Sequence, residues 1–223
     1  MKLKLLIIFL FTSTVIIAQN RFSGGIMPEF SVGYSISERF SIQHKIEYQQ
    51  AMFDQVEDDF FFDLQQADIQ HFLEYKISPT VDVAGGYQSR FEADGFNHHR
   101  SIQQVSWVSR LIGLRIGYRL RTDQTFSNDE SPLFRFRIRA KSQFPLQGLE
   151  VDQGEQYLVI SNEIIYMTKT QTDDFENRLN AGIGHYFNDN NKFEIGLDWR
   201  TDDYLEPGFR NRLWLKASYY LSL

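Results

Sequence analysis

The chain has 223 residues, no cysteine and a formal net charge of −6. That length suits one large all-β domain or two small ones. The missing cysteine excludes disulfides, thiol catalysis, thiolate metal sites and a lipoprotein anchor, and the mild acidity argues against nucleic acid as a partner, because phosphate binding needs a basic surface.

The first residues form a separate unit. Lys2 and Lys4 make a positive start, Leu5 to Ile17 an apolar core, and Ala18-Gln19 the cleavage point. Residues 1–18 therefore read as a secretory signal peptide, too short and wrongly flanked for a spanning helix. Residues 19–223 form the mature chain, where nothing approaches the roughly 20 apolar residues that a spanning helix requires. A mature protein residing in a membrane must then be a barrel, since an open sheet leaves unpaired backbone groups in lipid.

From Phe22 to Ile36 the even positions are largely apolar, with Pro28 marking an irregular point because it lacks a donor. Phe40 to Met52, Asp63 to Ile77 and Val81 to Ala93 alternate in the same way, with an acidic connection (Asp54 to Asp59) and a turn at Ser78-Pro79-Thr80 between them. A polar loop is expected from Asp94 to Arg100, including His98 and His99, followed by a less distinct strand marked by Val105 and Trp107. Ile112 to Thr122 sets Leu114, Ile116, Tyr118 and Leu120 against Arg115, Arg119 and Arg121.

The clearest stretch is Phe134 to Lys141, where Phe134, Phe136, Ile138 and Ala140 alternate with Arg135, Arg137, Arg139 and Lys141. A helix would scatter these two sets around its circumference, whereas a strand sorts them onto opposite faces. After a longer connection from Phe144 to Gly154, Glu155 to Met167, Asn177 to Phe187, Phe193 to Arg200 and Phe209 to Leu223 complete the series, with Asn188 to Asn191 as a turn run. That makes roughly eleven segments of roughly ten to fifteen residues.

Short turns near residues 38, 79, 110 and 189 interleave with longer polar loops near 56, 97, 129, 171 and 204. This is the layout of an outer-membrane barrel with short periplasmic turns. Spanning strands need about 9–11 residues, whereas soluble strands are usually nearer five or six. The expected fold is all-β: a single antiparallel up-and-down transmembrane β-barrel of 10–12 strands. Bacterial barrels have even counts, so one element is expected to be merged, split or missed. The lipid-facing wall makes outer-membrane lipid the expected partner, with the barrel-insertion machinery as a partner during assembly. The alternative is a soluble periplasmic β-barrel that buries its apolar face and binds a ligand.

The segment from Phe134 onward resembles the family called domain of unknown function 2490, found in Gram-negative outer-membrane proteins. The features that carry the resemblance are Arg135-Phe136-Arg137-Ile138-Arg139, Pro145-Leu146-Gln147-Gly148, Tyr157-Leu158 with Asn162-Glu163, and Asn177-Arg178-Leu179 before Gly182-Ile183-Gly184. It covers most of the mature chain and is strongest over 112–200. It implies an outer-membrane barrel with no established activity, and it supplies no catalytic or binding residues.

With the greasy face outward, Arg115, Arg119, Arg121, Arg135, Arg137 and Arg139 are expected to face the lumen, where Glu155 and Glu163 meet them and Arg178, Glu194 and Asp198 continue the polar wall. Such a set is either an internal ion-pair network that fills a narrow barrel or a basic constriction for anionic solutes. No cofactor or metal is expected. His98 and His99 point apart on an extended chain, and His71 and Glu74 fall on opposite faces of a strand. Gly182-Ile183-Gly184 lies within a strand and offers no phosphate cradle. A non-enzymatic barrel, structural or a narrow passage, is thus the first expectation. A membrane-embedded enzyme acting on envelope lipid, with His71, His98 or His99 as base, is the alternative.

Overall fold

The computed structural model describes residues 21–223 apart from 56–58, 94, 112–113, 128–130, 171 and 206–207. The expected signal peptide, residues 1–18, lies outside the described residues. Eleven strands follow one another: β1 (Arg21–Ser35), β2 (Phe40–Asp54), β3 (Asp59–Ser78), β4 (Val81–Glu92), β5 (Gly95–Leu111), β6 (Leu114–Ser127), β7 (Leu133–Pro145), β8 (Gln156–Lys169), β9 (Thr172–Asn188), β10 (Asn191–Asp202) and β11 (Arg210–Ser222). Each pairs antiparallel with its neighbours in sequence, and the sheet closes into a barrel.

The closure corrects two expectations. The count is odd, and the sheet is not antiparallel throughout, because β1 and β11 pair in parallel from Arg21↔Arg210 to Gly33↔Ser222. The reason is topological: in a meander of eleven strands the first and last point the same way, so their seam has to be parallel. Pro28 sits on that seam opposite Ala217, and the ladder from β1 to β2 lapses between Ile26 and Glu29, where the proline has no N–H to give.

The expected difference in loop length between the two ends is also corrected. The polar stretch after Asp94 is not a loop: β5 begins at Gly95, and His98 and His99 are strand residues paired with Arg90 and Ser89. The longest connection, residues 146–155, is the longer one expected from Phe144 to Gly154, but it lies at the same end as the short turns near 38, 79, 110 and 189. Backbone pairing continued beyond the apolar band, where side-chain alternation no longer marks it.

The two faces separate as the alternation requires. Ile138 is 60% exposed and Leu197 50% on the outer wall, whereas Arg137 and Asp198 on the same strands are 9% and 6% exposed inside. Phe136 and Leu114 also point outward. Aromatics pair across strands on the outer surface, as in Trp107–Tyr118 and Phe30–Tyr219.

Inside, a few large apolar side chains lie among the charges. Trp214 and Met27 are fully buried, and Phe72 packs with Ile102 and Ala84. Glycines make room for the inward aromatics. A Cβ on Gly86 would strike the Phe72 ring, and one on Gly184 would strike the Tyr157 ring. Gly182 and Gly196 face each other across β9 and β10, and a Cβ on Gly196 would lie 2.5 Å from Gly182 Cα.

Candidate functional site: the charged lumen

The polar face of β6 to β8 forms the middle of the lumen. Register places Arg119 opposite Arg139, Arg121 opposite Arg137, and Asp123 opposite Arg135. Because all six carry odd numbers on paired strands, all six point to one side. Two pairs of guanidinium groups therefore stand face to face, an arrangement that is unfavourable unless carboxylates intervene. Glu163 on β8 supplies one. Its two oxygens accept from Arg119 at 2.8 Å and from Arg137 at 2.6 Å. Asp123, with 0% exposure, accepts from Arg135 at 2.6 Å and lies 3.5 Å from both Arg100 and Arg137.

The rest of the wall continues the network. Arg178 pairs with Glu176 at 2.8 Å, two residues away on β9. Arg212 bridges Glu176 and Asp202, while Arg200 meets Asp198 at 2.6 Å and reaches Met27 Sδ. Glu194 accepts from Lys141, Tyr157 and Tyr220. Glu29 draws in Lys45 and Lys216 at 2.7 and 2.9 Å. These contacts fill the middle of the barrel and leave a cavity of about 130 Å³. Below it, towards the 146–155 connection, a wider vestibule of about 680 Å³ opens between Arg115, Lys192, Tyr220 and Val151.

Of the residues expected at the lumen, Arg119, Arg121, Arg135, Arg137, Arg139, Glu163, Arg178, Glu194 and Asp198 line the inner cavity. Arg115 sits lower and is exposed, lining the vestibule. Glu155 is placed elsewhere. It precedes β8, in the connection from β7, where its carboxylate accepts from the Asp152 amide at 3.1 Å rather than from an arginine. Its odd number put it in phase with Glu163, but the strand does not begin until Gln156.

Asp123, Glu176, Arg100 and Arg200 belong to the same network and were not singled out from sequence. Asp123 is in phase with Arg119 and Arg121, but Thr122 and Gln124 beside it are polar, so the alternation that would have marked it fades. Trp214 is in phase with Arg212 and Lys216, an apolar residue on the polar face of β11, and that anomaly was the available signal.

The histidines divide between the faces. His98 is turned towards Glu92, with Nε2 at 3.5 Å from the carboxylate. His44 and His71 meet on the outer wall, their Nδ1 atoms 2.6 Å apart, and His99 contacts the Tyr87 hydroxyl there. Among the described residues, no three His, Cys, Asp or Glu side chains gather where they could hold a metal ion.

Residues 25–211 match the family described as "Protein of unknown function (DUF2490)". No curated protein matches the sequence. Among solved structures, LpxR from Salmonella typhimurium is similar at 9% identity, with a TM-score of 0.47 and coverage of 81% of this chain and 83% of that one. The siderophore receptor PirA from Pseudomonas aeruginosa is similar at 14% identity, with a TM-score of 0.36, over 79% of this chain and 34% of that one.

Proposed function

The chain belongs to the DUF2490 family of proteins of unknown function, and from that premise we propose that it is a non-enzymatic outer-membrane β-barrel whose own side chains close its lumen. Residues 1–18 direct export and are removed, and the exposed leucines, isoleucines and phenylalanines meet lipid. The observation that carries this reading is the packed middle of the barrel, where Asp123 is 0% exposed and Arg135, Glu163 and Arg200 are each 6% exposed or less. In a sheet closed around so much charge, the network holds the strands in register and leaves only a small, Arg-rich cavity. Strands of 12 to 20 residues are long enough to cross, given that spanning takes about 9–11. Odd strand counts are known among membrane barrels, although bacterial ones are usually even.

Two measurements test it. In planar bilayers the mature protein is expected to give no stable stepwise conductance at neutral pH, and reproducible open steps would overturn the closed lumen. Ile138→Arg places a charge on the outer wall midway along β7. If that wall faces lipid, the substitution is expected to cost about 2–4 kcal/mol of stability in a bilayer. A cost near zero would mean that the wall faces water.

A further inference from the structure

We propose that the lumen holds a binding site for a small oxyanion, a phosphate- or carboxylate-bearing solute, at the arginine block of β6 and β7. This deepens the reading of the lumen as an enclosed polar space and rests on it. Twelve Lys or Arg side chains line the inner cavity against six Asp or Glu. Asp123 and Glu176, set just behind their partners Arg135 and Arg178, and Glu74 of β3, near Arg121, raise the carboxylates only to nine. An excess of positive charge enclosed by a low-dielectric wall needs a counter-charge far more than the same excess in water.

The excess is localised. Arg119, Arg121, Arg137 and Arg139 form two facing pairs, and Glu163 neutralises one member of each, Arg119 and Arg137. The diagonal members are left. Arg121 donates to Gln104 and lies over the Phe72 ring, and no carboxylate among the described residues comes within ion-pairing distance of it or of Arg139. Arg121 is only 8% exposed. Both residues line the inner cavity and the vestibule alike, so a solute entering from the 146–155 end meets them. Guanidinium forks pair bidentately with carboxylate and phosphate oxygens, a geometry that chloride cannot reproduce. The depth of the site inside the lumen excludes a headgroup still attached to acyl chains, so the ligand is a free solute.

The test is calorimetric titration of the folded, detergent-solubilised mature protein with inorganic phosphate and separately with chloride at low ionic strength. One phosphate per chain is expected, bound at least about tenfold more tightly than chloride. Arg139→Gln and Arg121→Gln should each weaken phosphate by about tenfold or more, since each removes a charged hydrogen-bond donor. Arg39→Gln, on the turn between β1 and β2 beside the Tyr75 hydroxyl, should leave it unchanged. Heat-modifiable gel mobility verifies that each variant is folded. Should the glutamine variants fail to fold, the wild type decides: phosphate, and not chloride, should raise the temperature of its mobility shift. Phosphate binding no tighter than chloride, or undiminished in both folded arginine variants, overturns the proposal. The readout is independent of conductance and of membrane location, so a conducting or soluble barrel would leave it standing, and its failure would leave the closed lumen standing.

Discussion

Glu163→Leu is expected to destabilise the barrel by about 3–5 kcal/mol, the usual cost of removing one partner from a buried ion pair. Glu163 is 5% exposed and is the carboxylate shared by Arg119 and Arg137. Without it, four guanidinium groups of two adjacent strands face one another directly. Water has little access to screen them, and Arg119 Nε and Arg137 Nε already lack hydrogen-bond partners among the described residues. Glu163→Gln keeps the shape and an acceptor and should lie between wild type and leucine. Adding Arg137→Met to Glu163→Leu should recover part of the loss, because the cost lies mainly in the stranded charge rather than in the missing pair. Urea titration in detergent, followed by gel mobility, measures all four proteins. A leucine variant within about 0.5 kcal/mol of wild type, the range of an ordinary surface substitution, would show that the network contributes no more than filler.

Gly196→Val is expected to be comparably severe, about 3 kcal/mol or more, at the upper end of overpacking costs. The added Cβ would meet Ala181 O and lie 2.5 Å from Gly182 Cα. Both obstacles are backbone, so no side-chain rotation relieves them. β9 and β10 would have to separate along a ladder that runs from Asn191↔Asn188 to Thr201↔Asn177. Gly85→Val is the matched control. Gly85 faces outward on β4 with nothing within 4 Å of its added Cβ, so valine there should be neutral or stabilising through its strand preference. If both valine variants show the same heat-modifiable shift, at the same temperature as wild type, close approach of the two strands is not what Gly196 serves.

The ease of reading each part from sequence follows from how locally it is encoded. Phe134 to Lys141 could be assigned to a strand with one greasy and one cationic face because both facts repeat every two residues. The sidedness of Arg119, Arg137, Glu194 and Asp198 followed from the same period. The period is silent where both faces are polar, and for that reason residues 95–100 read as loop although β4 and β5 pair through them. It is equally silent about where a strand begins, so Glu155 was assigned to a strand that starts one residue later.

What the chain determines by itself is which side chains share a face, and hence that it forms a sheet with an apolar side and a charged side. Backbone sterics impose that at every residue without reference to distant contacts. The tertiary structure alone decided the rest. Closure after eleven strands makes the β1–β11 seam parallel and sets the distances between the side chains that meet inside. Those distances in turn select Arg119 and Arg137 as the partners of Glu163 and leave Arg121 and Arg139 with no carboxylate in ion-pairing distance among the described residues. Ion pairing depends on separation through space, and separation across a closed barrel is fixed by the whole circuit of strands rather than by any segment of it.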